Sequence, residues 1–221
     1  MPSSTTENYL KTICHLTERN PDDSLVRLGE LANEMGVTAG TVTTMIRGLD
    51  KKGLVHYKLR SGVKLTEKGR KQALQVLRRH RIIESFLVDV MKMDWSEVHE
   101  DAEALEHVVS DRFLDRMDEM LGYPSTDPHG DPIPASGADL PANACSLLNE
   151  MHAGQYEISR VDDQDPAFLD WIAKNQLRPG QTFELQKIDA VTGIFLLQIP
   201  EQSSPLPVSA EIAKRIRVVA I

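Results

Sequence analysis

Three residues, Gly36-Val37-Thr38, constrain the first third of this chain more tightly than any other feature. They separate two short segments with apolar residues at helical spacing. The first, LVRLGELANEMG, offers Leu25, Val26, Leu28, Leu31, Ala32 and Met35 for burial and ends on Gly36, which suits a left-handed helix terminus. The second is capped by Thr38 and carries Val42, Met45, Ile46 and Leu49 as far as Gly53. Two helices of this size joined by so short a turn form a helix-turn-helix. An earlier helix, residues 4–18, is capped by Ser4 or Thr5, carries Tyr9, Leu10, Ile13 and Leu16, and stops at Asn20-Pro21. After Gly53, LVHYKLRSGVKLT alternates as a hairpin with Ser61-Gly62 at its tip, which is the pattern of a wing.

The second helix of the pair presents Thr38, Thr41, Thr43 and Thr44, with Gly40 permitting close backbone approach and Arg47 one turn on. Small hydroxyl side chains suit base edges and phosphates in a major groove. Lys58, Arg60 and Lys64 flank the wing. The net charge of −8 conceals the distribution: residues 51–81 hold 11 Lys/Arg against one acid, Glu67. DNA affinity follows the local field rather than the total, so duplex DNA is the expected partner. Alone, such a basic run is equally a solvated helix face.

Thr66 opens a long helix reaching about Met91, followed by helices over about 95–108 and from Ser110 to Leu121. Their apolar stripes exceed what one small module buries, which suggests a dimer interface. YPSTDPHGDPIPASGADLP reads as a linker. Beyond Cys145, the strands YEISRVD, QTFELQKI, GIFLLQI and RVVAI, with a helix over about Pro166–Asn175, read as a small β-barrel. The expected domains are 1–72, 73–123, a linker at 124–143, and 144–221. No apolar run is long enough for a membrane span, and the opening residues lack a secretory pattern. Two distant cysteines, Cys14 and Cys145, fit a reducing cytoplasm.

The chemistry concentrates in HRIIESFL and VHEDAEALEHVVSD. His80 and Glu84 are spaced i, i+4, so they share a helix face. His99, Glu103, Glu106 and His107 form a second stripe. Imidazole and carboxylate without thiolate suit Mn(II), Fe(II), Co(II), Ni(II) or Zn(II). The alternative for either pair alone is a solvated face. His99-Glu100 lacks the second histidine of zinc peptidases, and neither a phosphate loop nor a nucleophile elbow is present, so catalysis has no support. His129 and His152 are set aside as non-ligands in a linker and a turn. His56, on the wing, is either a phosphate contact or a surface residue.

The order of winged helix, HRxxExFL helix, HExxxxLEHxxSD helix and PHGDPIP segment (128–134) resembles the diphtheria-toxin-repressor family of iron- and manganese-dependent regulators. The resemblance spans nearly the whole chain. It implies a mainly α winged helix and helical dimerisation domain followed by a small all-β SH3-like (FeoA-like) barrel. It further implies a cytoplasmic homodimer that binds palindromic operator DNA when loaded with Mn(II) or Fe(II) and represses metal-uptake genes, without a membrane or small-molecule substrate. It assigns His80, Glu84 and His99 to an ancillary metal site, completed by a barrel-domain acid: Asp163, or else Asp162 or Asp165. It assigns Glu103, Glu106 and His107 to the activating site, with Asn8 from the first helix. Asn8 departs from the usual Met or Asp. Glu103 replaces the cysteine of the iron-responsive branch, which hardens the site toward Mn(II). Lys11 stands where some manganese regulators place an acid. The competing readings are a metal-independent winged-helix regulator and, more remotely, a metalloenzyme.

Overall fold

The computed structural model describes residues 3–19, 25–135, 137, 145–162, 165–200 and 202–221. It forms two compact units, Met1–His80 with Pro134–Leu140 and Arg81–Ile133 with Pro141–Ile221.

In the first unit, α1 (Ser4–Arg19) starts where Ser3 Oγ accepts from Thr6 N at 3.4 Å, so Ser3 is the cap rather than Ser4 or Thr5. α2 (Leu28–Glu34) ends with Val37 N donating to Ala32 O and Gly36 N to Asn33 O. This Schellman closure needs a left-handed residue, and Gly36 has φ +63°. α3 (Ala39–Lys51) then begins on Thr38, whose hydroxyl accepts from Thr41 N at 3.2 Å. α1 and α3 share one core, built on Leu10, Ile13, Leu31, Ile46, Leu49 and Val63. The wing strands β1 (Val55–Lys58) and β2 (Gly62–Leu65) pair antiparallel. Its turn is Leu59, Arg60 and Ser61, one residue earlier than the sequence suggests, with Arg60 at φ +63°. Gly62 opens β2 instead, because a Cβ there would lie 2.5 Å from Val26 O.

α4 (Glu67–Asp89) is a single helix within which the division falls, between His80 and Arg81. In the second unit α5 (Val98–Leu105) and α6 (Asp111–Met120) follow, the latter capped by Ser110. Ile82, Ile83, Leu87, Val98, Ala102, Leu114 and Met117 form their core, with Ile133 from the segment expected as linker. Among its described residues, Asp127, His129, Asp131 and Ile133 are buried. The C-terminal part is a six-stranded antiparallel sheet in the order β3-β8-β4-β5-β6-β7. Its strands are β3 (Ser146–Leu147), β4 (Gly154–Val161), β5 (Thr182–Asp189), β6 (Ile194–Gln198), β7 (Leu206–Ser209) and β8 (Ile216–Ala220). Two helices, α7 (Pro166–Lys174) and α8 (Ala210–Ala213), accompany it. Register shifts in β4 and β5 bend the sheet around Ile158, Leu169, Leu185, Leu197 and Ile216. Among the described residues no helix is long and apolar enough to cross a membrane.

The 127–133 segment meets β4 backbone to backbone. Val161 N donates to His129 O at 3.0 Å, and a Cβ on Gly130 would fall 2.0 Å from Ser159 O. Gly130 also has φ +89°. Gly130→Ala therefore combines a left-handed penalty with a backbone clash, and is expected to lower stability by roughly 1–3 kcal/mol in urea denaturation. A variant as stable as the parent would show that the segment can lift from β4 without cost.

Candidate metal centre and nucleic-acid face

On α3, Thr38, Gly40, Thr41, Thr44 and Arg47 are exposed and Thr43 is half-buried. The buried residues Val42, Ile46 and Leu49 hold the opposite face to the core. Thr43 and Thr44 donate their hydroxyl hydrogens back to Ala39 O and Gly40 O, at 2.8 and 3.0 Å. In this state they offer acceptor lone pairs and methyl groups, while Arg47 offers donors. Lys58, Arg60 and Lys64 are all exposed on the wing, as is His56. The positive face is nevertheless smaller than the sequence count. Arg78 Nη1 donates to Pro134 O at 2.9 Å, and Arg81 is buried. A charge count cannot show this, because Pro134 lies 56 residues from Arg78 and Pro132 lies 51 from Arg81.

Arg81 organises the second unit. Its guanidinium donates to Pro132 O at 2.6 Å and to Asp131 Oδ1 at 2.8 Å, and its Nε lies 3.7 Å from Asp127 Oδ2. Arg160 reaches the same Asp131 oxygen at 2.6 Å. Asp127 in turn accepts from His129 N and Asp131 N with Oδ1, which closes the loop on itself.

This scaffold delivers two side chains to α4. Glu84 is fully buried, with Oε1 3.2 Å from His99 Nδ1 and Oε2 3.8 Å from His129 Nδ1. Glu84, Asp127 and His129 each bring a ligand atom within 4.8 Å of the others, and all three are buried. Two buried carboxylates so close are costly unless a cation or proton is shared between them. A carboxylate–carboxylate–imidazole set therefore fits a divalent transition metal. Sequence reasoning set His129 aside and overlooked Asp127.

The residues expected in metal sites lie on α4, on α5 and just beyond it, and on α1. Within the second unit, His99 Nε2 lies 3.8 Å from Glu103 Oε1, one turn on along α5. Glu106 and His107 meet at 3.4 Å. α5 ends at Leu105, leaving Glu106 as its C-cap and fully buried. Asn8 Oδ1 is buried with no hydrogen-bond partner among the described residues, which suits an amide oxygen awaiting a cation.

Of the barrel-domain acids, Asp163 lies outside the described residues. Asp165 caps α7, accepting from Ala167 N and Phe168 N, while Arg215 donates to its other oxygen at 2.9 Å. The Arg215 hydrogen bond, then the Phe168 amide, hold its carboxyl below the usual range. Asp162 has Arg215 Nε at 3.9 Å. His152 is exposed and joins no ligand group among the described residues.

Two family descriptions match: an iron dependent repressor N-terminal DNA binding domain over residues 1–63, and an iron dependent repressor metal binding and dimerisation domain over residues 66–135. The iron-dependent repressor IdeR of Mycobacterium tuberculosis is 38% identical over 130 residues, covering 59% of this chain. The match spans 55% of that relative, little more than half its length. A solved manganese-dependent transcriptional repressor in complex with manganese is 34% identical, covers 98% of this chain and 100% of its own, and superposes with a TM-score of 0.91. The structure of ScaR with bound Zn2+ is 32% identical over 100% of both chains, with a TM-score of 0.83.

Proposed function

Because the chain belongs to the iron-dependent repressor family, which is not an enzyme family, we propose that it is a homodimeric, divalent-metal-dependent repressor that binds palindromic operator DNA in the cytoplasm. Mn(II) is the favoured metal and Fe(II) the alternative, and metal-uptake genes are the expected targets. The observation that carries the reading is the buried Glu84, Asp127 and His129 cluster in a chain whose first unit exposes a threonine-lined α3 beside a basic wing. The donors are oxygen and imidazole nitrogen throughout, which favours Mn(II) over thiolate-seeking metals.

Asn8, Glu103, Glu106 and His107 form the activating set; His80, Glu84 and His99 form the ancillary one, with Asp127 and His129 added and Asp163 retained as a candidate. A bound divalent cation supplies the positive charge that lets these carboxylates converge. Asn8 on α1 and the residues closing α5 then act as one set, which fixes α1. Tyr9, Leu10 and Ile13 of α1 pack in the core that holds α3, so the recognition helix is fixed with it. Two half-sites must be met together, so this fixation changes affinity. Metal and DNA then strengthen each other's binding reciprocally.

Dimerisation has its own support. Val108, Phe113 and Met120, in and just before α6, are large apolar residues more than half exposed. Exposed apolar groups clustered on one short stretch suit burial against a second copy.

The test is selection of genomic DNA fragments by the purified protein with Mn(II) and, in parallel, with excess chelator. Enrichment of a palindromic site only with Mn(II) is expected. Equal enrichment in both arms would leave a DNA-binding protein and favour the metal-independent reading.

A further inference from the structure

His129 is fully buried, and its Nε2 lies 3.0 Å from the main-chain oxygen of Trp95. A carbonyl oxygen has no hydrogen to give, so Nε2 must carry the proton. In the neutral ring this leaves the lone pair on Nδ1, the atom that faces Glu84 Oε2 and has no hydrogen-bond partner among the described residues. The plane of the ring is set as well. The Trp95 indole stacks on the imidazole, with centroids 5.2 Å apart and 21° between planes. The His129 backbone is anchored at its nitrogen by Asp127 and at its oxygen by Val161. Trp95 itself is nearly buried, packed in the apolar cluster of the β-sheet, with the Arg178 guanidinium 4.6 Å from its ring centroid.

We infer that Trp95 is the positioning residue for His129, its carbonyl selecting the tautomer and its indole fixing the ring so that Nδ1 is presented to a divalent cation beside Glu84 and Asp127. The inference rests on the proposed function, because it requires that this cluster bind metal. Partners that hold a ligating histidine's second nitrogen raise its basicity and fix its orientation, and losing them commonly costs 10–100-fold in affinity. The carbonyl belongs to the backbone and survives any substitution at position 95. The stacking does not, so Trp95→Leu isolates the contribution of the indole.

With the histidines 15N-labelled and the His129 signal assigned by its absence in His129→Gln, the metal-free protein is expected to show Nε2 protonated and Nδ1 bare. Titration with Zn(II), chosen as a diamagnetic probe, should move the Nδ1 shift strongly. A metal-free ring protonated on Nδ1 would overturn the inference. Next, Zn(II) affinity is compared in the parent, Trp95→Phe, Trp95→Leu and Glu84→Gln. Trp95→Leu is expected to bind the cluster about tenfold more weakly, and Trp95→Phe, which keeps an aromatic face, to recover most of that loss. Parent-like affinity in a folded Trp95→Leu would overturn the positioning role alone. Unchanged Zn(II) stoichiometry and an unmoved Nδ1 signal in both Glu84→Gln and the parent would instead remove the metal site beneath it.

Discussion

Replacing Glu103 and Glu106 together by alanine is expected to abolish the Mn(II)-dependent gain in operator affinity, a change of about 100-fold if the coupling lies at the upper end of ordinary allosteric systems. Glu106 is fully buried with His107 3.4 Å away, and Glu103 lies within ligand range of His99. Removing both leaves imidazole and amide donors, a set too poor in charge to retain a hard divalent cation. The basic wing and α3 are untouched, so the variant should keep the weak, salt-sensitive DNA binding of the metal-free parent. The measurement is fluorescence anisotropy of a labelled operator fragment, with and without Mn(II), alongside light scattering to show that the dimer persists. A variant that still gains tenfold or more with Mn(II) would overturn the assignment of the activating site. A variant that loses DNA binding even in low salt would point to general damage, which circular dichroism would reveal.

What the sequence discloses about this chain divides by the range of the interaction. Thr38 as a cap, Gly36 as a left-handed terminus and the shared face of His80 and Glu84 all follow from spacings of a few residues. The structure realises the first two as the sequence suggests. The helix carrying His99 ends sooner than its apolar pattern implies, yet Glu106 keeps helical angles as the cap and so stays near His107. His129 and Asp127 were illegible for the opposite reason. Their partner, Glu84, lies more than 40 residues earlier, and a run of proline, glycine and aspartate has the composition of a linker. Composition registers the turns but not the buried guanidinium that makes them fold inward. Asp165 illustrates the same limit: an acid near the expected ligand position is occupied as a helix cap and by Arg215.

That guanidinium gives the largest expected effect on stability. Arg81→Met would place a side chain of similar length in the same space and leave Asp131 and Asp127 in the interior without it. Removing one partner of a buried ion pair typically costs about 3–5 kcal/mol, because the charge left behind is uncompensated. Arg160 still reaches Asp131 at 2.6 Å, so the lost ion pair is felt mainly at Asp127, whose Oδ2 lies 3.7 Å from the Arg81 Nε. The Pro132 carbonyl also loses its donor. Arg81→Lys keeps the charge but cannot bond Pro132 and Asp131 with two fixed prongs, so it should fall between the parent and Arg81→Met. Urea denaturation measures the loss, and Zn(II) binding to the Glu84, Asp127 and His129 cluster should weaken with it, because the 127–132 turn positions two of the three ligands. The metal arm separates two roles. A loss of several kcal/mol with unchanged Zn(II) affinity would make Arg81 a stabilising residue only, and the loop would hold its ligands through Gly130 and β4 alone. Stability within 1 kcal/mol of the parent would show that Arg160 suffices for both aspartates.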